Sequence, residues 1–225
     1  MVDSALPANT APRWMRSRIS KASVAGGVLI VAILVTAFFM LPRSPINLAA
    51  AGPQAQEELL RHWRAGEVVV LVRHAERCDR SSNPCLGPAD GITKSGNEAS
   101  ATVGQGFARL GMSQTDVISS PVTRTRQTAD ALVGKDVDSQ EWLRSCGDTL
   151  RNDVIAHKVA ERNMVLVTHS GCISDFERQT GFKHAAASEY SSSLFVSMGA
   201  SGQLKVLGIL NPGDWSSLLS EKPLK

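Results

Sequence analysis

Runs of apolar residues, and the polar breaks between them, divide the chain into a small set of predicted elements. Val68 to Val72 is an unbroken, largely β-branched run, which is typical of a strand buried on both faces. Met164 to Val167 repeats this pattern. The same reasoning predicts further strands over 117–119, 194–198 and 204–210, and helices over 54–64, 95–110 and 123–132. Alternating strands and helices predict an α/β fold, a three-layer sandwich with a central, mostly parallel sheet.

The longest apolar run, residues 23–41, contains no charged residue and is long enough to cross a bilayer as a helix. Four basic residues precede it and only Arg43 follows it closely. The positive-inside rule therefore predicts a cytoplasmic basic N-terminus over 1–22, a transmembrane signal anchor over 23–41, and a folded domain on the far side. We expect a single-pass inner-membrane protein with a periplasmic domain.

A cleaved signal peptide is the alternative to this anchor. Ala49 to Ala51 offer a small-residue cleavage site, but the apolar run is longer than a usual signal-peptide core and ends well before it. Both interpretations export the domain. Residues 42–53, rich in Pro, Ala, Gly and Ser, are expected to form a linker, and 54–225 the folded domain.

Composition narrows the classes of function. The hydrophobic content of 43% is sufficient for a core. The formal net charge is only +3, and the basic N-terminal block accounts for it, so the domain itself is near neutral. A general nucleic-acid-binding protein is therefore not expected.

Polar residues follow the predicted strands directly. Arg73 and His74 come after the 68–72 strand, His169 comes after the 164–167 strand, and Arg124 stands at the beginning of the helix that follows 117–119. Open α/β sheets bind ligands at the carboxyl ends of their strands. Guanidinium groups bind phosphoryl oxygens by bidentate contact, and a histidine can act as a covalent nucleophile. These residues therefore predict a site for phosphoryl chemistry.

Taken together, these segments resemble the histidine phosphatase superfamily, also called the phosphoglycerate mutase-like fold. Residues 73–76 are similar to its RHG box, with Ala75 in place of the usual Gly. Residues 120–129 match its S-x-x-x-R-x-x-x-T-A pattern, and 91–99 are similar to its L-T-x-x-G-x-x-Q-A segment. The resemblance covers about 68–171, and the combination is far more specific than any single motif.

The resemblance implies a role for each residue. His74 is the residue that becomes phosphorylated, Arg73 and Arg124 bind the phosphoryl oxygens, and His169 forms a further wall of the pocket. The family spacing favours Arg124 over its neighbour Arg126. The implied activity is a histidine-type phosphatase, a phosphomonoester hydrolase that needs no metal and no cofactor.

A closer resemblance is to the lipopolysaccharide core heptose(II)-phosphate phosphatase family, whose members are also short and exported behind an N-terminal apolar segment. It lies in residues 73–81 and in the layout of the cysteines. It implies a sugar phosphate of the lipopolysaccharide core as the substrate. Ala75 removes some backbone freedom at that position but no chemical group.

The four cysteines, Cys78, Cys85, Cys146 and Cys172, are expected to form two disulfides in an oxidising compartment. Three pairings are possible. We predict Cys78 with Cys85, which closes a short loop after His74, and Cys146 with Cys172, which ties an earlier segment to the chain after His169. Their spacings do not fit a metal site.

The leaving oxygen of a phosphomonoester needs a proton, and a carboxylic acid is the usual donor. Asp148 is the predicted donor, because the Cys146 disulfide would draw it toward His169, and Glu76 is the reserve. Four other acids between Arg124 and His169 are less favoured: Asp130, Asp136, Asp138 and Glu141.

Arg77, Arg80 and Glu76 lie within a few residues of His74 and are the candidate substrate-binding residues. The two arginines would suit a large anionic substrate, and solvated loop charges are the alternative. A non-catalytic phosphate-binding or envelope-interaction protein is the alternative function, supported only by the lack of a clear acid.

Overall fold

A computed structural model describes residues 24, 26–32 and 44–216. Residues 24 and 26–32 are helical, but most of the predicted membrane segment over 23–41 lies outside the described residues. Within the described part of the chain, no helix is both long enough and apolar enough to cross a membrane. The site lies in the second of two compact units, which spans 42–225.

Six strands form one mixed sheet in the order β3-β2-β4-β1-β5-β6. They are β1 (Val68–Arg73), β2 (Thr115–Ser119), β3 (Asp138–Ser139), β4 (Asn163–Thr168), β5 (Ser193–Met198) and β6 (Leu204–Leu210). The strands from β3 to β1 are parallel, whereas β5 is antiparallel to both of its neighbours. The prediction of a mostly parallel sheet therefore holds for these four strands and not for β5.

Strand register brings several chain ends to one edge of the sheet. Arg73 pairs with Thr168, and Ser119 pairs with Val167, so β1, β2 and β4 end side by side. Because β5 runs the other way, its first residue, Ser193, lies opposite Val72 at the same edge. The segment that precedes β5 therefore reaches the edge where the parallel strands end.

Five helices cover the two faces of the sheet: α1 (Pro53–Arg64), α2 (Lys94–Leu110), α3 (Thr123–Val133), α4 (Leu150–His157) and α5 (Ser170–Gln179). Side chains of β1 alternate between the faces. Val68, Val70 and Val72 pack with residues of α1, α2 and α3, while Val69 and Leu71 pack with residues of α4 and α5. These two cores explain why every β1 residue before Arg73 is apolar and fully buried.

The segment assigned to the linker is partly integrated into the fold. Leu48 is fully buried in the core. Its backbone N–H donates to the Ile209 carbonyl oxygen at 3.0 Å, and the Asn47 side chain donates to the Asp214 carboxylate at 2.8 Å. The folded part of the chain therefore begins before residue 54, because an apolar side chain within an otherwise linker-like composition fills a place beside β6.

Candidate active site

His74 lies at the carboxyl end of β1 with its imidazole in a defined tautomer. The side chain is 4% exposed. Its Nδ1 lies 2.8 Å from the Ala75 carbonyl oxygen, which can only accept, so Nδ1 carries the proton and Nε2 keeps its lone pair. Burial, together with the nearby charges of Arg124 and Arg73 and the His169 ring, lowers the pKa of His74 to about 3. The ring is therefore a neutral base or nucleophile at physiological pH.

His169 is the residue that precedes α5, and its ring centroid lies 5.4 Å from that of His74. An Arg124 Nη2 lies 3.3 Å from His169 Nδ1, and Ser120 Oγ lies 3.1 Å from Nε2. Since arginine only donates, Nδ1 accepts and Nε2–H donates to the serine hydroxyl. Burial and then Arg124 lower the pKa of His169 to about 4. The second histidine is therefore neutral as well.

Arg73, the last residue of β1, is held from one side by the segment before β5. Its Nη1 donates to the Ser188 carbonyl oxygen at 2.5 Å, and its guanidinium carbon lies 3.8 Å above the Tyr190 ring. The Tyr190 ring also lies 5.7 Å from the His74 ring. Arg73, His74 and Tyr190 therefore form one contiguous wall.

The two arginines leave donors unused. Nε of Arg73 and Nε of Arg124 are both buried, and neither has a hydrogen-bond partner among the described residues. Burial lowers the pKa of both guanidinium groups, yet an arginine remains charged. A buried N–H without a partner is unfavourable, so an anion with several acceptor oxygens would satisfy both arginines.

Helix α3 is tied to the loop that carries His74. Thr128 on α3 accepts a hydrogen bond from the Ala75 backbone N–H at 2.9 Å and donates to the Arg124 carbonyl oxygen at 2.7 Å. Thr125 donates to the Ser120 carbonyl oxygen at 2.8 Å. These contacts fix the position of Arg124 relative to His74. The N-terminal ends of α3 and α5 both begin at this edge and add partial positive charge.

Arg77 and Arg80 lie close enough to influence the site. The Arg77 charge lowers the pKa of Arg124 and of His169, and the Arg80 charge lowers the pKa of Arg73 and of Arg124. Arg77 donates to both carboxylate oxygens of Asp79, with Nε at 2.7 Å from Oδ1. Arg77 is thus balanced by Asp79, whereas Arg80 forms no ion pair among the described residues, so its charge remains near the site.

Glu76 organises the loop after His74. Its Oε2 accepts hydrogen bonds from Asn83 at 2.9 Å, from the Thr93 hydroxyl at 2.7 Å and from the Ser95 hydroxyl at 3.1 Å. These bonds lower the pKa of Glu76, and the bond from Asn83 has the largest effect. A carboxylate held in its charged form fixes the loop to the beginning of α2 and is a poor proton donor.

Asp148 and Arg126 have partners elsewhere. The Asp148 side chain is 91% exposed and pairs with Arg178 Nη2 at 3.0 Å, so its ion pair joins it to α5 and not to His74 or His169. Arg126 is exposed and pairs with Asp136 at 3.3 Å. Of the residues singled out from the sequence, the structure brings together Arg73, His74, Arg124 and His169.

Both predicted disulfides are present, Cys78–Cys85 and Cys146–Cys172. The first closes a loop that contains Arg80 and begins directly after Arg77. The second joins the segment before Asp148 to α5, as expected, although the aspartate itself points to Arg178. Among the described residues, no group of three or more His, Cys, Asp or Glu side chains could hold a metal ion.

Sequence reasoning did not identify Ser120, Thr128, Ser188 or Tyr190 as parts of the site. The first two lie inside the S-x-x-x-R-x-x-x-T-A pattern, so the motif itself could have indicated them. Ser188 and Tyr190 follow no strand and belong to no motif. Tyr190 is, however, the single tyrosine of the sequence.

Known proteins are similar to this chain in sequence and in fold. Residues 69–146 match the family model of the histidine phosphatase superfamily (branch 1). Lipopolysaccharide core heptose(II)-phosphate phosphatases from Escherichia coli, strains O139:H28 and K12 among them, are 36% identical over 110 residues, which are 48% of this chain and 54% of the relative. The match thus spans about half the length of these relatives.

Solved structures share the fold. The protein histidine phosphatase SixA complexed with tungstate superposes with a TM-score of 0.54 at 16% identity, covering 65% of this chain and 98% of that one. A phosphoserine phosphatase from Entamoeba histolytica in complex with 3-phosphoglyceric acid also gives 0.54, at 13% identity, covering 66% of this chain and 98% of that one. At these identities the similarity concerns the fold alone.

Proposed function

We propose that this chain is a member of the histidine phosphatase superfamily, whose family model matches residues 69–146, and that it hydrolyses phosphate monoesters through a phosphohistidine formed on His74. The observation that carries this proposal is the pair of buried guanidinium Nε groups that have no hydrogen-bond partner among the described residues, beside a neutral imidazole whose Nε2 keeps its lone pair. A phosphoryl group offers the oxygens that these donors lack and the phosphorus atom that the imidazole can attack.

The reaction has two displacements. His74 Nε2 attacks phosphorus and the bond from phosphorus to the ester oxygen breaks, so the alcohol leaves. Water then attacks the phosphohistidine, the phosphorus–nitrogen bond breaks, and inorganic phosphate is released with His74 restored. Arg73 and Arg124 stabilise the charge on the transferring group in both steps, and Ala75 holds the imidazole in the tautomer that leaves Nε2 free.

The alcohol takes up a proton as it leaves. Asp148 is the donor that the sequence suggests, and its exposure and its pairing with Arg178 weaken this assignment. Asp148→Asn should be compared on an alkyl phosphate and on p-nitrophenyl phosphate, since only the alkoxide needs a proton. A loss confined to the alkyl ester would assign the donor to Asp148. Equal, small effects on both esters would remove it from this role.

For the substrate we propose a sugar phosphate of the cell envelope, such as a heptose phosphate of the lipopolysaccharide core. The name of the relatives supports this, and so does the positive charge of Arg80 near Arg73 and Arg124. We also propose that the apolar segment 23–41 anchors the chain in the inner membrane, with the domain in the periplasm. The two disulfides support an oxidising compartment, and the burial of Leu48 supports an uncleaved chain.

The central test is hydrolysis of p-nitrophenyl phosphate by the full-length chain, with and without a chelator. We expect turnover that the chelator does not change, and none for His74→Ala. A matched control is His157→Ala, because His157 is exposed and stacks on Trp142 away from the pocket. Rapid quenching with a radiolabelled ester should trap acid-labile, alkali-stable phosphate on the native protein and not on His74→Ala. Phosphate binding without any turnover would favour the non-catalytic alternative.

Location can be tested separately. A reporter that is active only in an oxidising compartment, fused after residue 216, should be active, and removal of residues 1–41 should abolish that activity. An active reporter in the cytoplasmic fraction would contradict the proposed export.

A further inference from the structure

Arg73 is positioned by groups that leave its charge intact. Its guanidinium contacts the Ser188 carbonyl oxygen and the Tyr190 ring face, and no carboxylate lies within ion-pair distance of it in the described part of the chain. A carboxylate would compete with phosphate for the same donors. An aromatic face attracts a cation through its quadrupole and carries no net charge, so the arginine stays available to an anion.

The Tyr190 ring is fixed by the backbone beside it. Ser191 donates its N–H to the Arg73 carbonyl oxygen at 3.1 Å, and its hydroxyl lies 3.0 Å from that of Ser100 on α2. Ser191 is fully enclosed and has a φ of 57°, a left-handed conformation that a serine adopts only when its surroundings hold it there. The end of β1 thus determines where the ring lies, and the ring in turn supports the side chain of Arg73.

Tyr190 is also only partly buried, so the packing of the core does not account for its position. Its ring lies next to both the proposed nucleophile, at 5.7 Å between ring centroids, and the first phosphate-binding arginine, whose guanidinium carbon is 3.8 Å from the ring centroid. A side chain with only a packing role has no need to face both groups.

We propose that Tyr190 is a positioning residue, whose ring face holds the Arg73 guanidinium in the orientation that binds the phosphoryl group and closes one side of the His74 pocket. This inference rests on the proposed phosphatase function and adds to it a residue of the segment before β5. The ring face carries the effect and the hydroxyl is dispensable.

The test measures binding of inorganic phosphate by calorimetry, which requires no turnover. Tyr190→Leu should weaken binding about 3- to 30-fold, the range of a cation–π contact, whereas Tyr190→Phe should stay within about twofold of the native chain. Phe182→Leu is the matched control, because it removes an aromatic ring from the same connecting segment. Equal binding by the Leu and Phe variants, whether both are native-like or both are weakened, would overturn the role of the ring face.

A double-mutant cycle shows whether the ring acts through Arg73. Adding Tyr190→Leu to Arg73→Ala should cost no further phosphate affinity, since the guanidinium that the ring positions is already gone. Additive losses would overturn the proposal. If the native chain neither binds phosphate nor hydrolyses an ester, the proposed function itself fails. If the native chain does both and Tyr190→Leu changes nothing, only this inference fails.

A second measurement avoids substitution. Tyr190 is the only tyrosine, so growth on 3-fluorotyrosine labels this ring alone and gives one fluorine resonance. Titration with phosphate should shift that resonance as the guanidinium over the ring is neutralised. A resonance that is unchanged at saturating phosphate would overturn the proposal even if Tyr190→Leu fails to fold.

Discussion

At the scale of single residues, the arginines fall into two classes that their partners distinguish. Arg126, Arg162 and Arg178 pair with aspartates, which neutralise them. Arg73 and Arg124 form no ion pair among the described residues and each keep a buried Nε without a partner. The free energy cost of an unsatisfied buried donor is recovered when an anion binds. These two arginines therefore indicate where the anionic ligand binds.

Arg124→Gln and Arg126→Gln separate the two classes on one helix. We expect the first to lower kcat/KM about 100-fold or more, as loss of a donor to the transition state does, and the second to lower it less than about threefold, because it removes only an exposed pair with Asp136. Steady-state kinetics on p-nitrophenyl phosphate measure both. Similar losses would mean that the guanidinium facing the phosphate has been misassigned.

The pKa of His74, lowered to about 3 mainly by burial, predicts how the ring responds to pH. The neutral, nucleophilic form exists above the pKa, so acidification from pH 8 to pH 5 should not protonate it, whereas an ordinary histidine titrates near 6.5. The imidazole resonances of His74, identified by their loss in His74→Ala, should stay constant over this range. A midpoint near pH 6.5 would contradict the enclosed site.

A site residue can be predicted from the sequence when it directly follows a buried strand or stands in a spaced motif. Arg73, His74, Arg124 and His169 follow strands or stand in a spaced motif, so parallel pairing brings them together. Tyr190 reaches the same place through a strand that runs the other way, which no local pattern reveals. Asp148 was inferred from a correct disulfide, but a tether fixes a backbone region and does not determine the direction of a neighbouring side chain.

At the scale of elements, a helix or strand can be predicted from the sequence only when its apolar residues form a clear pattern. The strands β1 and β4 are buried on both faces and give unbroken apolar runs. By contrast β3 is two exposed residues, and α4 buries only Leu150 and Val154, so neither gives a clear periodicity. Helix α5 begins directly after His169 and is short. Its buried face gives only a brief apolar pattern, in which Ile173 and Phe176 are the large side chains.

The close approach of helices α2 and α3 at Gly104 can be tested by substitution. A Cβ on Gly104 would lie 2.2 Å from the Leu132 carbonyl oxygen, so Gly104→Ala must push the helices apart. We expect a loss of about 1–3 kcal/mol in the free energy of unfolding, although alanine favours a helix by about 1 kcal/mol. Gly171→Ala on α5, with nothing within 4 Å, is the control and should be neutral or stabilising. Denaturant unfolding measures both, and a stabilised Gly104→Ala would refute the close approach.

At the scale of the molecule, the two disulfides have separate consequences. Cys146–Cys172 spans 26 residues and Cys78–Cys85 spans 7, so chain entropy assigns them about 3.5 and about 2.4 kcal/mol of stabilisation. Replacing the first pair by serine should therefore lower the midpoint of unfolding more. Replacing the second should instead raise KM more, because its loop contains Arg80 and directly follows Arg77. A larger fall of the unfolding midpoint on loss of Cys78–Cys85, measured by calorimetry, or a larger rise of KM on loss of Cys146–Cys172, would contradict these assignments.

The reversed strand β5 has a consequence for how such a protein can diverge. The strands that end at the site also make up the two cores, so their sequences are constrained by packing on both sides. The segment before β5 reaches the site with most of its residues outside the cores, from 180 to 192. Apart from Ser188 and Tyr190, which hold Arg73, this stretch can therefore change, and with it the preference for a substrate, while the chemistry of His74 and its arginines stays the same.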